Sequence, residues 1–173
     1  MENTALELAQ NGKNAFANGD FKTAIQAFSQ SAEAYRQAEK PLDAAEAQNN
    51  LSVALLQAKR AEEALEAAQG TDLIFAEAND KLRQAMALGN QAAALDALGK
   101  TENALELYRK SAALFGEIGE GDYQETVLKS IAALELKTGK IQDTAYTMLE
   151  SLGAAKKPSL FQRFLKFLLR IVR

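Results

Sequence analysis

Four positions spaced 40 residues apart carry polar side chains that could hydrogen-bond with a ligand: Gln10, Asn50, Asn90 and Ser130. Three of them are carboxamides, and each carboxamide supplies two N–H donors and an acceptor oxygen. Asparagine is a mediocre helix former, so local helix stability does not explain its recurrence. A row of such groups could hold the backbone of a bound peptide. The alternative is that they are ordinary solvated residues on a wet face.

The residue types that usually carry out catalysis are missing from the chain. Its 173 residues include no histidine and no cysteine, which removes the common general bases, the thiol nucleophiles and the usual zinc ligands. It also contains no glycine motif that would cradle a phosphate. The acidic residues Glu62, Glu63 and Glu66 are typical of a solvated helix face rather than of a catalytic carboxylate pair. We therefore expect no enzymatic activity, no metal ion and no cofactor.

The composition is that of a folded, helical chain. The sequence is 47% hydrophobic and 25% charged, with two prolines. Abundant alanine, leucine, glutamate, lysine and glutamine favour helices. The first residues, Met1–Thr4, lack a basic region followed by an apolar run, so we expect no secretory signal. No stretch reaches the roughly 20 apolar residues that span a bilayer, and we expect a cytoplasmic protein.

The 40-residue period also runs through positions that must shape the fold. One column is small, with Gly12, Ser52, Ala92 and Ala132, and a turn column holds Gly19, Lys59, Gly99 and Gly139. A fixed period of this length predicts stacked repeats, here units of about 3–40, 41–80, 81–120 and 121–152. The helices are expected over 3–18, 21–38, 41–58, 61–78, 81–98, 101–118, 122–138 and 141–152. The turn at Lys59 must close without glycine.

These columns resemble the tetratricopeptide repeat (TPR). The small column matches the small residue of the motif's first helix, Ala24, Ala64 and Ala104 match its second-helix alanine, and Phe28 and Tyr108 match its aromatic residue. The 40-residue length, with the sequences at 48–51 and 88–91, is similar to the variant in kinesin light chains and spindle-orientation adaptors. The resemblance implies an all-α, right-handed superhelical solenoid of four helix pairs over residues 1–152. The missing tryptophan, Lys59 and a weak fourth unit depart from the motif.

In this repeat class the first helices line a concave groove. The resemblance therefore implies that the groove binds a segment of a partner protein, as in an adaptor, through Gln10, Lys13, Asn14, Asn50, Val53, Gln57 and Asn90. A clamp for a terminal carboxylate needs several basic residues, and Lys13 is the only candidate in the first two first helices. Residues 1–153 carry 14 basic and 23 acidic side chains, a charge of −9, so a basic or neutral partner is favoured.

A basic amphipathic segment ends the chain after a linker at 153–158. Residues 154–173 carry six basic side chains and no acidic one. Ser159 and Gln162 form a capping-box pattern, which predicts a helix over 159–173. Its apolar face includes Leu160, Phe161, Phe164, Leu165, Phe167, Leu168 and Ile171, and its basic rim includes Arg163, Lys166 and Arg170.

Three destinations remain open for this segment. It could anchor the chain at an anionic membrane surface, because a wide apolar face with a basic rim is typical of interfacial helices. It could cap the last repeat or dock into another copy, which would make a homo-oligomer or a self-assembling structural protein. It could also bind a calmodulin-like partner. The apolar face is too large for nucleic acid to be the main partner. An adaptor held peripherally at a membrane is the leading expectation.

Overall fold

The fold is described by a computed structural model for residues 2–139 and 141–154. All regular elements within those ranges are α-helices. In chain order they are α1 (Glu2–Ala17), α2 (Phe21–Gln37), α3 (Pro41–Gln57), α4 (Ala61–Ala68), α5 (Thr71–Glu77), α6 (Lys81–Ala97), α7 (Thr101–Glu117), α8 (Gly121–Lys137) and α9 (Ile141–Ala154). The chain divides into two compact units, Met1–Ala104 and Leu105–Arg173.

The helices follow the 40-residue period that the sequence predicts. Seven of the eight expected helices lie within two residues of their predicted bounds. Consecutive helices pack against one another, with α1 on α2, α2 on α3 and α8 on α9. The all-α class built from repeated helix pairs is therefore confirmed. The period positions the same column of residues at the same place in each pair, which is why it predicts the helix faces so well.

The prediction of a single helix over 61–78 is wrong. This stretch breaks into α4 and α5 at Gly70, whose φ of 79° is left-handed. The Gln91 side chain, from α6, donates through Nε2 to the carbonyl oxygen of Ala68 at 3.2 Å and to Asp72 Oδ1 at 2.7 Å. These bonds occupy backbone and side-chain acceptors next to the break. A buried glutamine on another helix thus stabilises a kink that local periodicity does not reveal.

The turns inside the helix pairs share one geometry, whether or not they contain glycine. Gly19 has φ 76° and Gly99 has φ 72°, and Lys59 adopts the same left-handed conformation at φ 60°. The Lys59 N–H donates to the Leu56 carbonyl at 3.0 Å, just as the Gly19 N–H donates to Phe16. The expectation that this turn closes without glycine is met. A side chain in this conformation costs roughly 1–2 kcal/mol.

In the core of the first unit, a small residue on one helix leaves room for a large side chain on the helix that packs against it. A Cβ built at Gly12 would lie 2.7 Å from the Phe28 ring, so only glycine fits there without a shift. Phe28 is 3% exposed and packs in a cluster with Ala24 and Ala54, with Leu51 against its edge. Because Leu51 and Ala54 belong to α3, the first helix of each new pair covers the second helix of the preceding pair.

The second unit carries a charge in its core. Glu135 is 1% exposed and stands where the period places Leu55 and Leu95 in the first unit. Arg109 donates through Nη2 to Glu135 Oε1 at 2.9 Å, and the Thr147 hydroxyl donates to Oε2 at 2.8 Å. These three residues join α7, α8 and α9 by hydrogen bonds. The same repeat position thus packs through apolar contacts in one unit and through polar contacts in the other.

Candidate interaction surfaces

Two adjoining cavities lie in the first unit, where α1 and α3 meet over α2. One has a volume of about 130 Å³ and is lined by Lys13, Phe16, Phe28, Asn50 and Val53. The other has a volume of about 140 Å³ and is lined by Leu6, Ala9, Lys13, Tyr35, Asp43, Glu46, Ala47 and Asn50. Lys13 and Asn50 line both cavities. We call the surface formed by these two cavities the polar groove.

Three of the site residues expected from the sequence meet in this groove. Lys13, Asn50 and Val53 line one cavity together, with Asn50 and Val53 half-buried and Lys13 exposed. Asn50 borders both cavities, so a segment crossing from one to the other would pass its carboxamide. That this position faces a binding surface stays a prediction.

The other four expected residues lie outside the two cavities. Gln10 Nε2 donates to Asn14 Oδ1 at 3.0 Å, and both side chains are exposed on α1. Gln57 is exposed at the end of α3, and Asn90 is half-buried on α6. The Gln10–Asn14 bond uses one of the two donors of the Gln10 amide. The carboxamides of the predicted row therefore lie in different surroundings. Asn50 lies at the cavities, and Gln10 is hydrogen-bonded within its own helix.

Charged side chains connect α1, α3 and α6 beside the polar groove. Glu46 lies 3.5 Å from Lys13 Nζ and 3.4 Å from Arg83 Nη1. Arg83 also pairs with Asp80 at 2.6 Å and lies 5.0 Å from the Phe75 ring centre. The Arg83 backbone N–H and guanidinium hydrogen-bond to Asp80 and hold the pKa of its carboxyl below the usual value. Such partly exposed pairs contribute little stability, about 0–1 kcal/mol each, but they orient the groove's charges.

Several residues that shape the polar groove were not predicted from the sequence. Phe16 and Tyr35 supply its apolar walls, and Glu46 and Asp43 supply its negative charge. Helical spacing could have identified Glu46, because a residue four positions before Asn50 lies on the same face of α3. The contribution of α2 depends on how three helices meet, which the spacing of a single helix does not reveal.

Asn49 illustrates a carboxamide with a structural task. It is 7% exposed, and its Oδ1 lies 3.1 Å from the Thr71 hydroxyl at the start of α5. Its neighbour Asn50 faces the cavities instead. Asn49 and Asn50 therefore have different roles, one in the core and one at the cavities, because successive residues of a helix point about 100° apart.

A second concave surface lies in the other unit, between α8 and α9. Its cavity has a volume of about 330 Å³ and is lined by Lys129, Ala132, Ala133, Leu136, Met148, Ser151 and Leu152. Leu136 is 56% exposed and Met148 is 43% exposed. We call this surface the apolar groove. Large apolar side chains at this level of exposure next to a concavity are typical of an interaction surface.

The expected membrane or docking residues of 159–173 lie outside the described residues. Within 2–139 and 141–154, no helix has the length and hydrophobicity needed to cross a membrane. The same part of the chain contains no group of three or more acidic, histidine or cysteine side chains arranged to hold a metal ion.

Solved structures of TPR-like repeat proteins share this fold. The TPR-like repeats of a Podosopora anserina kinesin light chain match with a TM-score of 0.76 and 16% identity, covering 88% of this chain and 76% of that one. Aspartyl phosphate phosphatase F from Bacillus subtilis matches with a TM-score of 0.81 and 14% identity, covering 88% and 40%. BtubC from P. vanneervenii matches with a TM-score of 0.75 and 16% identity, covering 90% and 63%.

These similarities establish a TPR-type repeat fold. At 14–16% identity they show the fold alone. The chain spans 40% of the length of the phosphatase and 63% of BtubC. No protein-family model matches the sequence, and no curated protein does.

Proposed function

We propose that this chain is a non-catalytic adaptor that binds a segment of another protein in the polar groove. The observation that carries the proposal is the meeting of Lys13, Asn50 and Val53 at one cavity, with Lys13 and Asn50 continuing into the next. A TPR-type solenoid acts through extended surfaces of this kind rather than through a deep catalytic pocket. The TPR-type fold of the kinesin light chain repeats supports the same reading.

The two cavities suit a segment that presents an apolar side chain next to a polar backbone. Phe16, Phe28 and Val53 would receive the apolar side chain. Asn50, at the border of the cavities, would exchange hydrogen bonds with the backbone of the segment. Asp43 and Glu46 would favour a basic residue further along, and the −9 charge of residues 1–153 would add long-range attraction.

The groove is tested by removing one carboxamide and then a second. Peptides are selected from a random display library against the intact chain, and their affinity is measured by fluorescence anisotropy. Asn50→Ala removes a bond of about 0.5–1.5 kcal/mol at the cavities, a loss of roughly 2- to 13-fold in affinity, and adding Asn90→Ala, which lies outside the cavities, tests whether the segment continues to α6. The matched control is Gln30→Ala, an exposed carboxamide on α2. Unchanged affinity in the double variant, with its melting temperature preserved, would exclude the carboxamide row as the binding element.

We further propose that residues 159–173 hold the adaptor at an anionic membrane surface in the cytoplasm. The segment combines a wide apolar face with Arg163, Lys166 and Arg170 on its rim. Each basic side chain near an anionic surface contributes about 1 kcal/mol, in addition to burial of the apolar face. Co-sedimentation with phosphatidylserine vesicles should retain the full chain and lose a chain truncated after Gly153. Equal recovery of both chains in the supernatant would exclude the anchor.

A further inference from the structure

Among the residues that the structure describes, no further helix packs over the apolar groove, whereas its counterpart in the first unit is covered. Met148 stands three 40-residue periods after Phe28, and Ala132 and Leu136 stand in the same relation to Gly12 and Phe16. Phe28 is 3% exposed, whereas Met148 is 43% exposed. The side chains at these positions differ, and the first-unit position is also packed by a following helix that the described part of the second unit does not supply.

The cover in the first unit is the first helix of the next repeat. Leu51 and Ala54 of α3 pack in the cluster around Phe28. A corresponding helix above Met148 would come from the chain beyond α9, which ends at Ala154, or from a second copy. The sequence continues for 19 residues beyond that point. The missing cover and the remaining chain therefore meet at the same end of the second unit.

The length and composition of the remaining chain fit this place. Residues 159–173 number 15, close to the 17 residues of α3. The four residues 155–158 can extend over about 13 Å, which is enough to turn back onto the helix that precedes them. In the first unit, Leu51 and Ala54 of α3 cover the Phe28 ring. Here the walls include Ala132 and Ala133, and the segment supplies phenylalanines and leucines, so large residues would fill a cavity of about 330 Å³.

The charges near the groove are compatible with the same occupant. Helix α9 contains Asp143 and Glu150, both exposed, and no lysine or arginine. The segment 159–173 contains four basic side chains and no acidic one. Asp143 and Glu150 do not line the groove, and Lys129, the charged residue among those that do, is paired with Glu125 at 2.7 Å, so a basic rim could be accommodated.

We propose that the apolar groove is the docking site of residues 159–173 of the same chain, which take the place of a fifth repeat's first helix. The short tether gives the segment an effective concentration in the millimolar range, which favours its own groove over another copy's. Because the apolar face that fills the groove is the face that would enter a membrane, docking and membrane binding exclude each other. This second step rests on the proposed membrane anchor.

The chain's lack of cysteine makes the docking testable by disulfide formation. Leu136→Cys places a thiol in the groove, and Lys137→Cys places one on the exposed neighbouring residue, outside the residues that line it. Each is combined with Phe164→Cys or Leu168→Cys in the full chain and oxidised with copper phenanthroline. We expect the Leu136 pairs to form a bond within one chain about tenfold faster than the Lys137 pairs, because docking raises the local thiol concentration.

The gel distinguishes the possible occupants. A cross-linked monomer that depends on Leu136 supports the dock, and circular dichroism verifies that each variant is folded. A cross-linked dimer from the Leu136 pairs would assign the groove to a second copy and overturn the proposal. Equal rates for the Leu136 and Lys137 pairs would also overturn it, because the segment would then show no preference for the groove.

Vesicles separate the dock from the anchor. Adding vesicles of phosphatidylcholine and phosphatidylserine should slow the Leu136 cross-link in proportion to the fraction bound, and the cross-linked chain should no longer sediment with them. If vesicle-bound chains cross-link as fast as free ones, mutual exclusion is wrong. If the reduced chain does not bind vesicles, the proposed anchor fails, while the cross-linking rates in buffer still decide the dock.

Discussion

The two grooves of this protein occupy related places in the repeat but differ in what surrounds them. In the polar groove, α3 lies against α1 and α2, buries Phe28 and places Asn50 at the cavities. In the apolar groove, the equivalent residue Met148 is exposed, and Leu136 extends beside it. Where the next helix follows, the residue at this repeat position is buried and forms a wall of the groove. Where the described chain ends, the equivalent residue is exposed.

The two grooves would therefore hold an occupant in different ways, the polar groove by directional bonds and the apolar groove by burial of apolar surface. The polar groove combines Lys13, Glu46 and one carboxamide, Asn50, whose directional bonds would select a segment by its backbone and charge under the proposed function. The apolar groove lacks a comparable set of polar side chains, apart from Lys129 and Ser151. Its contacts with any occupant would come from non-directional burial, which suits a tethered segment whose local concentration is already high.

The difference between the two grooves predicts the largest effect on stability at Phe28. Phe28→Ala empties a buried contact beneath α3 and should lower the free energy of unfolding by about 3–5 kcal/mol. Met148→Ala, in a chain truncated after Gly153, should change it by no more than about 0.5 kcal/mol, because that side chain is already exposed. Urea denaturation followed by circular dichroism measures both. Similar losses of unfolding free energy at the two positions would show that the side chain's contribution depends on its place in the repeat and not on the helix that packs over it.

The buried carboxylate of the second unit gives the next largest effect. Arg109→Ala removes one partner of Glu135 and leaves a buried acceptor, which should lower stability by about 1–3 kcal/mol, since Arg109 itself is partly exposed. Glu135→Leu restores the apolar residue found at Leu55 and Leu95 and should leave stability equal or higher. Thermal melts of the two variants decide the matter. A larger loss for Glu135→Leu than for Arg109→Ala would mean that the charge itself stabilises this unit.

The turn at Lys59 gives a smaller effect with the opposite sign. Lys59→Gly relieves a left-handed side chain and should raise stability by about 0.5–1 kcal/mol. Lys59→Ala keeps the Cβ and therefore serves as the matched control, with no gain expected. Urea denaturation compares the two. An equal gain in both variants would locate the effect in the lysine charge rather than in the backbone.

Acid should reveal the smallest effect, at the charged side of the polar groove. The Arg83 backbone N–H and guanidinium lower the pKa of Asp80 in the folded chain. Its contribution is therefore present above the unfolded pKa of about 3.9 and disappears as the pH falls through the lower folded value. The difference in melting temperature between the wild-type chain and Asp80→Asn should shrink on acidification below about pH 4. A difference in melting temperature that stays constant across this range would show that the ionised Asp80 carboxyl does not stabilise the folded chain.

Periodicity predicts most of the fold because each helix pair repeats one set of contacts. The small column is a good example, since the glycine at 12 is the residue that the ring of Phe28 requires. The break at Gly70 is stabilised locally by the Thr71 hydroxyl, which donates to the Ala68 carbonyl oxygen at 2.7 Å, and from a distance by Gln91, 21 residues away. A pattern within one helix contains no information about a hydrogen bond from another.

The candidate site was predictable only in part, for the same reason. Spacing along α3 brings Asn50 and Val53 to one face, and the repeat carries Lys13 beside them. The aromatic wall and the Glu46 charge pairs depend on how α1, α2 and α3 meet. Asn49 and Asn50 have the same side chain, and only the three-dimensional packing separates the buried bond of one from the cavity position of the other.

Under the proposed function, the polar groove rather than the apolar one recognises a partner segment. Nuclear magnetic resonance of the ¹⁵N-labelled full chain, titrated with a display-selected peptide, tests this directly. We predict that the largest shift changes fall on the Asn50 side-chain amide and on backbone amides around Lys13 and Val53. Changes concentrated at Leu136 and Met148, with Asn50 unaffected, would contradict the claim and assign recognition to the apolar groove.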